Sequence, residues 1–319
     1  MKKALAMVLV LLCLCLTACA GDTVIYQELA RPEDSEPVPP PEAEASGVFW
    51  KTGLAILCDT TGSESAARAD YDVTVAAVLV DDAGVIRACV LDGVAAQLTF
   101  DENGAVTGDM TQPLSTRQEE NDVWLRRAEV LQRAAVGKTV GQLRGTGDWD
   151  ERLFAAVEKA VANARHLGAQ EGEELRLAVL ADLSGSASAT EGDAGRVRMN
   201  CDGAAVTLRQ ETVTSCSIDS VQADVTFDAM GTITNELSRT VKTKTELGDA
   251  YGMKAYGGAK YEWYQQAANF SAYAVGKTVQ QILEIPTAEG KPAQADLYAS
   301  VTISITPFQR LIARACGLA

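Results

Sequence analysis

Leu54-Ala55-Ile56-Leu57-Cys58-Asp59-Thr60-Thr61-Gly62-Ser63-Glu64-Ser65-Ala66 is answered position for position by Leu177-Ala178-Val179-Leu180-Ala181-Asp182-Leu183-Ser184-Gly185-Ser186-Ala187-Ser188-Ala189. Each is an aliphatic run that ends on an aspartate and a hydroxyl-glycine turn, the pattern of a buried strand followed by a tight reversal. The correspondence continues along the chain. Cys89–Val94 answers Cys216–Val221, and Leu98–Asp101 answers Val225–Asp228, each followed three residues later by a glycine, Gly104 or Gly231. Ala135–Val140 answers Ala274–Val279, and a tryptophan, Trp124 or Trp263, stands thirteen residues before the glycine of that block in both. Collinear blocks of this kind mark an internal duplication, with copies over residues 53–170 and 176–319.

Within a copy, residues 73–80, 85–91 and 95–100 alternate or are rich in β-branched side chains, and Asp81-Asp82-Ala83-Gly84 joins two of these runs as a hairpin. The period then changes. Trp124, Ala128, Leu131 and Ala135, and again Phe154, Val157, Ala160 and Val161, recur at helical spacing. The expected architecture is α+β: two tandem repeats, each an antiparallel strand meander followed by helices, and each large enough to bury its own core.

A chain of 319 residues with 47% hydrophobic and 22% charged residues folds around apolar cores, and a net charge of −15 excludes electrostatic capture of nucleic acid or of acidic membrane surfaces. Met1-Lys2-Lys3 precedes a short apolar run, Ala4 to Leu16, the form of a secretion signal over residues 1–18. Leu16-Thr17-Ala18-Cys19 resembles the lipobox of bacterial lipoproteins, which predicts lipidation at Cys19 and a lipid-anchored address on the extracytoplasmic face of the cell membrane. Residues 19–52, acidic and proline-rich, read as a disordered tether. Beyond Cys19 the five cysteines, Cys58, Cys89, Cys201, Cys216 and Cys316, stand singly, and His166 is the one histidine. Buried free thiols are expected, and no metal site.

Val-Gly-Lys-Thr, present in both copies, invites a nucleotide-site reading. A phosphate loop needs a further glycine five residues earlier, where Gln132 and Ser271 stand, so Gly137 and Gly276 read as helix-ending glycines. Asp59-Thr60-Thr61-Gly62-Ser63 and its copy read as strand-ending turns, and His166 as a solvated residue near a helix end. The copies differ most between Thr243 and Trp263, which are separated by twelve more residues than Thr116 and Trp124. That insert holds Gly248-Asp249-Ala250-Tyr251-Gly252-Met253-Lys254-Ala255-Tyr256-Gly257-Gly258, whose glycines and rings suit the close approach of a planar ligand, or a long loop packed on its own domain.

The order of strand meander, Tyr251-Gly252-Met253-Lys254, Trp263-Tyr264, Val275-Gly276-Lys277-Thr278 and an Asp296 to Thr302 segment resembles the FMN-binding-domain lipoproteins of anaerobic Gram-positive bacteria. The resemblance covers most of the second copy and, more weakly, the first. In the wider family a flavin transferase esterifies FMN phosphate onto the threonine of Asp-x-x-Ser-Gly-Ala-Thr-x-Ser/Thr. Asp296, Thr302 and Ser304 match that pattern, while Ala299-Ser300-Val301 replaces Ser-Gly-Ala. The resemblance implies FMN at Thr302 or held noncovalently, walled by Tyr251, Met253, Tyr256, Trp263 and Tyr264, with a flavin transferase and a redox partner. Two readings stand beside it. Residues 295–306 also read as a β-branched strand leading into a C-terminal helix. The whole chain also reads as a cofactor-free surface module that recognises a wall component, a peptide or an exported protein. A hydrolase reading lacks a nucleophile and base.

Overall fold

Aliphatic and β-branched side chains set Phe49–Asp59 (β1), Arg68–Val80 (β2) and Ile86–Thr99 (β3) as an antiparallel meander in this computed structural model, which describes residues 48–111, 113–117 and 122–318. The signal peptide, Cys19 and all but the last few residues of the tether lie outside the described residues. The runs expected at 85–91 and 95–100 are one continuous strand, because Asp92 and Gly93 keep register opposite Val75 and Thr74. Gly93 lets the strand pass beneath Trp124, whose ring would lie 3.0 Å from an added Cβ. After β3 come Pro113–Leu114 (β4), Val123–Ala135 (α1), Val140–Arg144 (α2) and Glu151–Asn163 (α3). Arg165–Gln170 (β5), a strand with no expectation behind it, returns to pair with β1 and gives the sheet order β3-β2-β1-β5.

A second meander follows, Glu174–Asp182 (β6), Gly195–Arg209 (β7) and Thr212–Phe227 (β8), in a sheet of order β4-β6-β7-β8. Its helices are Lys244–Leu247 (α4), a 3-10 turn at Gly248–Tyr251, Met253–Gly257 (α5), Trp263–Ala274 (α6) and Val279–Leu283 (α7). The short strands Thr287–Ala288 (β9) and Lys291–Pro292 (β10) lead to Ala295–Tyr298 (α8) and Thr306–Ala315 (α9). The fold is α+β. Residues 299–305 contain no strand, so the β-branched run ending at Thr306 is not the strand its composition suggested.

Each half buries a core of its own under its helices, as expected, and the two meanders share a further one. Both faces of these strands are apolar, so each sheet has a helix-covered face and a second face that must be buried elsewhere. The inner faces meet: Ile56, Val75 and Leu79 pack in one cluster with Val179, Met199 and Val225. Tyr71, fully buried in that layer, donates its hydroxyl to the Val197 carbonyl at 2.7 Å. Outside, Leu131, Leu143 and Leu153 cover the first sheet, and Phe270, Ile282 and Leu311 cover the second. The order of layers is helix, sheet, sheet, helix.

Contacts between the halves come in pairs. Phe100 stacks on Phe227 with centroids 4.0 Å apart and planes 1° from parallel. The Gly104 carbonyl accepts from Ala189 N (2.8 Å), and the Gly231 carbonyl from Ala66 N (2.6 Å). Ser188 Oγ accepts from Val106 N (2.9 Å), and Ser65 Oγ from Ile233 N (3.2 Å). Gly104 and Gly231 sit at φ 67° and 68°, and a side chain on Gly104 would come within 2.7 Å of the Asp228 carbonyl oxygen. The chain also crosses over in both directions: β4 leaves the first half to pair with the end of β6, while Ser238 O accepts from Thr60 N (2.8 Å) and Val241 N donates to Cys58 O (2.9 Å) at the end of β1.

Candidate functional site

The two Val-Gly-Lys-Thr stretches are helix joints. Gly137 and Gly276 adopt φ 80° and 82°, and their N–H groups donate to Ile86 O and Val213 O, both at 2.8 Å, which pins α1 and α6 to the strand that starts beneath them. Lys138 Nζ and Lys277 Nζ donate to the last carbonyls of those helices, Ala134 O (2.7 Å) and Tyr273 O (2.6 Å). Thr139 and Thr278 cap α2 and α7 in reciprocal boxes with Gln142 and Gln281. The aspartate turns are local as well: Asp59 Oδ1 accepts from Thr61 N (2.7 Å), and Asp182 Oδ1 from Ser184 N (2.8 Å). His166 lies on β5, exposed, 3.1 Å from Asp82.

The ring-rich segment is organised by two buried side chains that the sequence reading passed over, Glu262 and Gln266, each 1% exposed. The Glu262 carboxylate accepts from Met253 N (2.8 Å) and Lys254 N (2.9 Å), closing the insert onto the start of α6. Gln266 Nε2 donates to Tyr261 O (2.8 Å), while its Oε1 accepts from Thr302 N (2.7 Å), Thr302 Oγ1 (3.2 Å) and Ile303 N (3.2 Å). One amide thus ties Thr302 to the aromatic segment 36 residues away. Their sequence signal was the polar residue among apolar neighbours at the start of an amphipathic helix, which only a burial map reveals as a partner for backbone amides.

Tyr251, Met253 and Tyr264 pack against the core that holds Trp263, and Tyr264 donates to Asp249 (3.3 Å). Lys244 Nζ stands 5.0 Å from the Trp263 ring centre and 5.6 Å from that of Tyr251. Trp263 meets Phe308 at 5.9 Å and 81°. Tyr256 is not part of this cluster: it is 92% exposed and folds back over Gly252.

The segment before Thr302 runs antiparallel along α6. Tyr273 donates to Gln294 Oε1 (2.7 Å), Asn269 Nδ2 to Ser300 O (3.3 Å), and Gln266 holds Thr302. Asp296 therefore belongs to the Tyr273 and Lys277 end, roughly 10 Å of helix from Gln266 at 1.5 Å per residue. It is exposed, and so is Ser304, whose hydroxyl lies against the Gly290 turn. Of the eight expected ligand residues, Tyr251, Met253, Trp263, Tyr264 and Thr302 come together, and Tyr256, Asp296 and Ser304 do not. Lys244 Nζ lies over the Trp263 and Tyr251 rings, Gln266 engages the Thr302 hydroxyl, and Asp296 stands toward the other end of α6.

Beneath α4 the charge balance differs between the halves. Burial pushes the Asp202 and Asp219 carboxyls up, with a Ser220 hydrogen bond and then Lys244 opposing the first and hydrogen bonds from Thr243 and Thr245 the second. In the first half Arg152 fills the corresponding place, donating to Thr74 Oγ1 (3.3 Å), Asp59 (3.1 Å), Leu57 O (3.1 Å) and Asp72 O. Arg117 sits over Trp124 at 5.2 Å, as Lys244 does over Trp263. Cys58, Cys201 and Cys216 are buried free thiols, and among the described residues no cluster of three His, Cys, Asp or Glu is placed to hold a metal.

A cleft of about 430 Å³ opens in the first half between α1 and the start of α3, lined by Val123, Arg126, Arg127, Val130, Trp149 and Leu153 among others. No family model, no curated protein and no solved structure matches this chain.

Proposed function

We propose that this chain is an extracytoplasmic lipoprotein, held at the membrane by lipid on Cys19, in which two duplicated meander-and-helix halves form a cofactor-free binding module. The lipobox and the charged, apolar, small-residue order before it support the address. The paired contacts around Phe100 and Phe227 support the duplication. The observation that carries the cofactor-free reading is the double lock on the ring-rich segment. Glu262 and Gln266 spend their buried hydrogen-bonding groups on the chain itself, and Lys244 occupies the ring faces a flavin would stack on.

A second reading, a flavin carrier in electron transfer with a redox partner, is favoured by one observation, the placement of Thr302 beside that segment through Gln266. Expression of the mature chain with and without a flavin transferase separates the two. The binding module stays colourless after denaturation and takes up no added FMN. Flavin fluorescence that survives denaturation and disappears in Thr302→Ala establishes the carrier instead.

A further inference from the structure

The first-half cleft has a counterpart in the second half, and there the protein's own chain fills it. Counted back from the helix-joint glycines, Arg127 stands where Gln266 does, Val130 where Asn269 does and Ala134 where Tyr273 does. Gln266, Asn269 and Tyr273 are the three residues that hold the 294–303 segment along α6. That segment buries Leu297 (1% exposed) and Val301 (0%) against the same helices. The first half has no such segment, because Gly147 leads almost directly to Asp150, the cap of α3. Its helix face is left open: Val123 and Val130 are 51% and 56% exposed, and the cleft lies along them.

The residues that differ on this helix face change its chemistry consistently. Asn269 becomes an aliphatic residue, Val130, and Gln265 and Gln266 become Arg126 and Arg127. Arg127 reaches Asp150 at 3.1 Å across an exposed pair, and among the described residues Arg126 has no carboxylate partner. Exposed pairs of this kind hold little free energy and re-pair readily.

We propose that this cleft is the docking site for a short peptide segment of a partner protein that forms one helical turn, as Ala295–Tyr298 does, with aliphatic side chains four residues apart, as Leu297 and Val301 are, and a carboxylate where Thr302 lies. This rests on the binding-module reading and assigns its binding face to the first half. The aliphatic pair fills the floor between Val130, Leu131 and Leu153, and the carboxylate pairs with Arg126 and Arg127.

Two fluorescein-labelled decapeptides test it against the full mature chain: the sequence of residues 294–303, and the same sequence with Glu in place of Thr302. Anisotropy should rise saturably for both, with the Glu peptide several-fold tighter at low salt. Val130→Asp, a surface change whose fold is checked by circular dichroism, should weaken both by about tenfold or more. Arg127→Gln should abolish the preference for Glu while leaving the first peptide bound. Absence of saturable binding by either peptide overturns the proposal, as does binding that Val130→Asp leaves unchanged. Covalent flavin at Thr302 would defeat the cofactor-free reading without altering these titrations, so the two failures are distinguishable.

Discussion

The two halves of this molecule place the same parts on the same scaffold and finish them differently. Each has a three-stranded meander, a long helix ending in a left-handed glycine, and a final helix laid across the sheet. In the first half the final helix brings Arg152 into the polar end of its sheet, where one guanidinium satisfies Asp59, Thr74 and two carbonyls. In the second half the helix begins with Thr306-Pro307, and the nearby cation is Lys244, which opposes the upward shift of Asp202 and lies over two rings. The first half leaves its helix groove open and the second fills its own, while burial pushes carboxyls up in both, Asp92 in the first and Asp202 and Asp219 in the second. Where the halves agree is at the shared core, and where they differ is on the outer faces.

The stacked phenylalanines give the largest way to break that comparison. Phe227→Ala should cost about 3–5 kcal/mol. Because the stack joins both sheets, urea unfolding should stay a single transition by far- and near-ultraviolet circular dichroism. Two separated transitions would show halves that fold on their own. Next comes the final helix. Arg152→Met should cost about 2–4 kcal/mol, since Asp59 loses its cation and the Leu57 and Asp72 carbonyls lose a donor, while Asp72 keeps Arg117. Pro307→Ala should stay within about 1 kcal/mol, because the first turn of a helix tolerates either residue. Equal losses at the two positions would erase the distinction drawn here.

The pH dependence sharpens it further. Burial pushes the Asp92 carboxyl up to about 6, with Gly93 N and Arg314 opposing. The folded state then holds a proton that the unfolded chain releases near pH 4. The corresponding stability is present below about pH 4 and is lost as pH rises through about 6, on the order of 2 kcal/mol. Asp92→Asn keeps the acceptor for Gly93 N and should show a shallower decline over that window in thermal melts. Asp202 and Asp219, shifted in the same direction, leave some slope behind. The smallest effect is the helix joint, where Thr139→Ala and Thr278→Ala should each cost about 1 kcal/mol by denaturant titration, and by similar amounts, since both caps make the same reciprocal bonds.

Much of the fold was legible because local chemistry and fold agreed. The meanders, α1, α3 and the helix-ending role of Gly137 and Gly276 follow from periodicity and from the conformational freedom of glycine. The continuity of β3 through Asp92-Gly93 was hidden, because an aspartate and a glycine look like a break until a tryptophan is seen packed on the glycine. The exchange of β4 and of residues 238–241 between halves left no local trace, since two or three backbone pairs need no particular side chains. The site was legible as composition and not as geometry. The rings were countable, whereas Glu262 and Gln266, which decide how the rings are held, looked like ordinary helix-start polar residues. Asp296 and Thr302 matched a spacing, and the antiparallel course along α6 set them apart.

The reciprocal crossing of β4 and of residues 238–241 reaches beyond this one chain. A gene shortened to either half would encode a polypeptide with one arm extended and one sheet margin bare, complete only when it embraced a sibling. Holding both arms in one polypeptide makes each crossing intramolecular, so neither margin waits on the concentration of a second molecule.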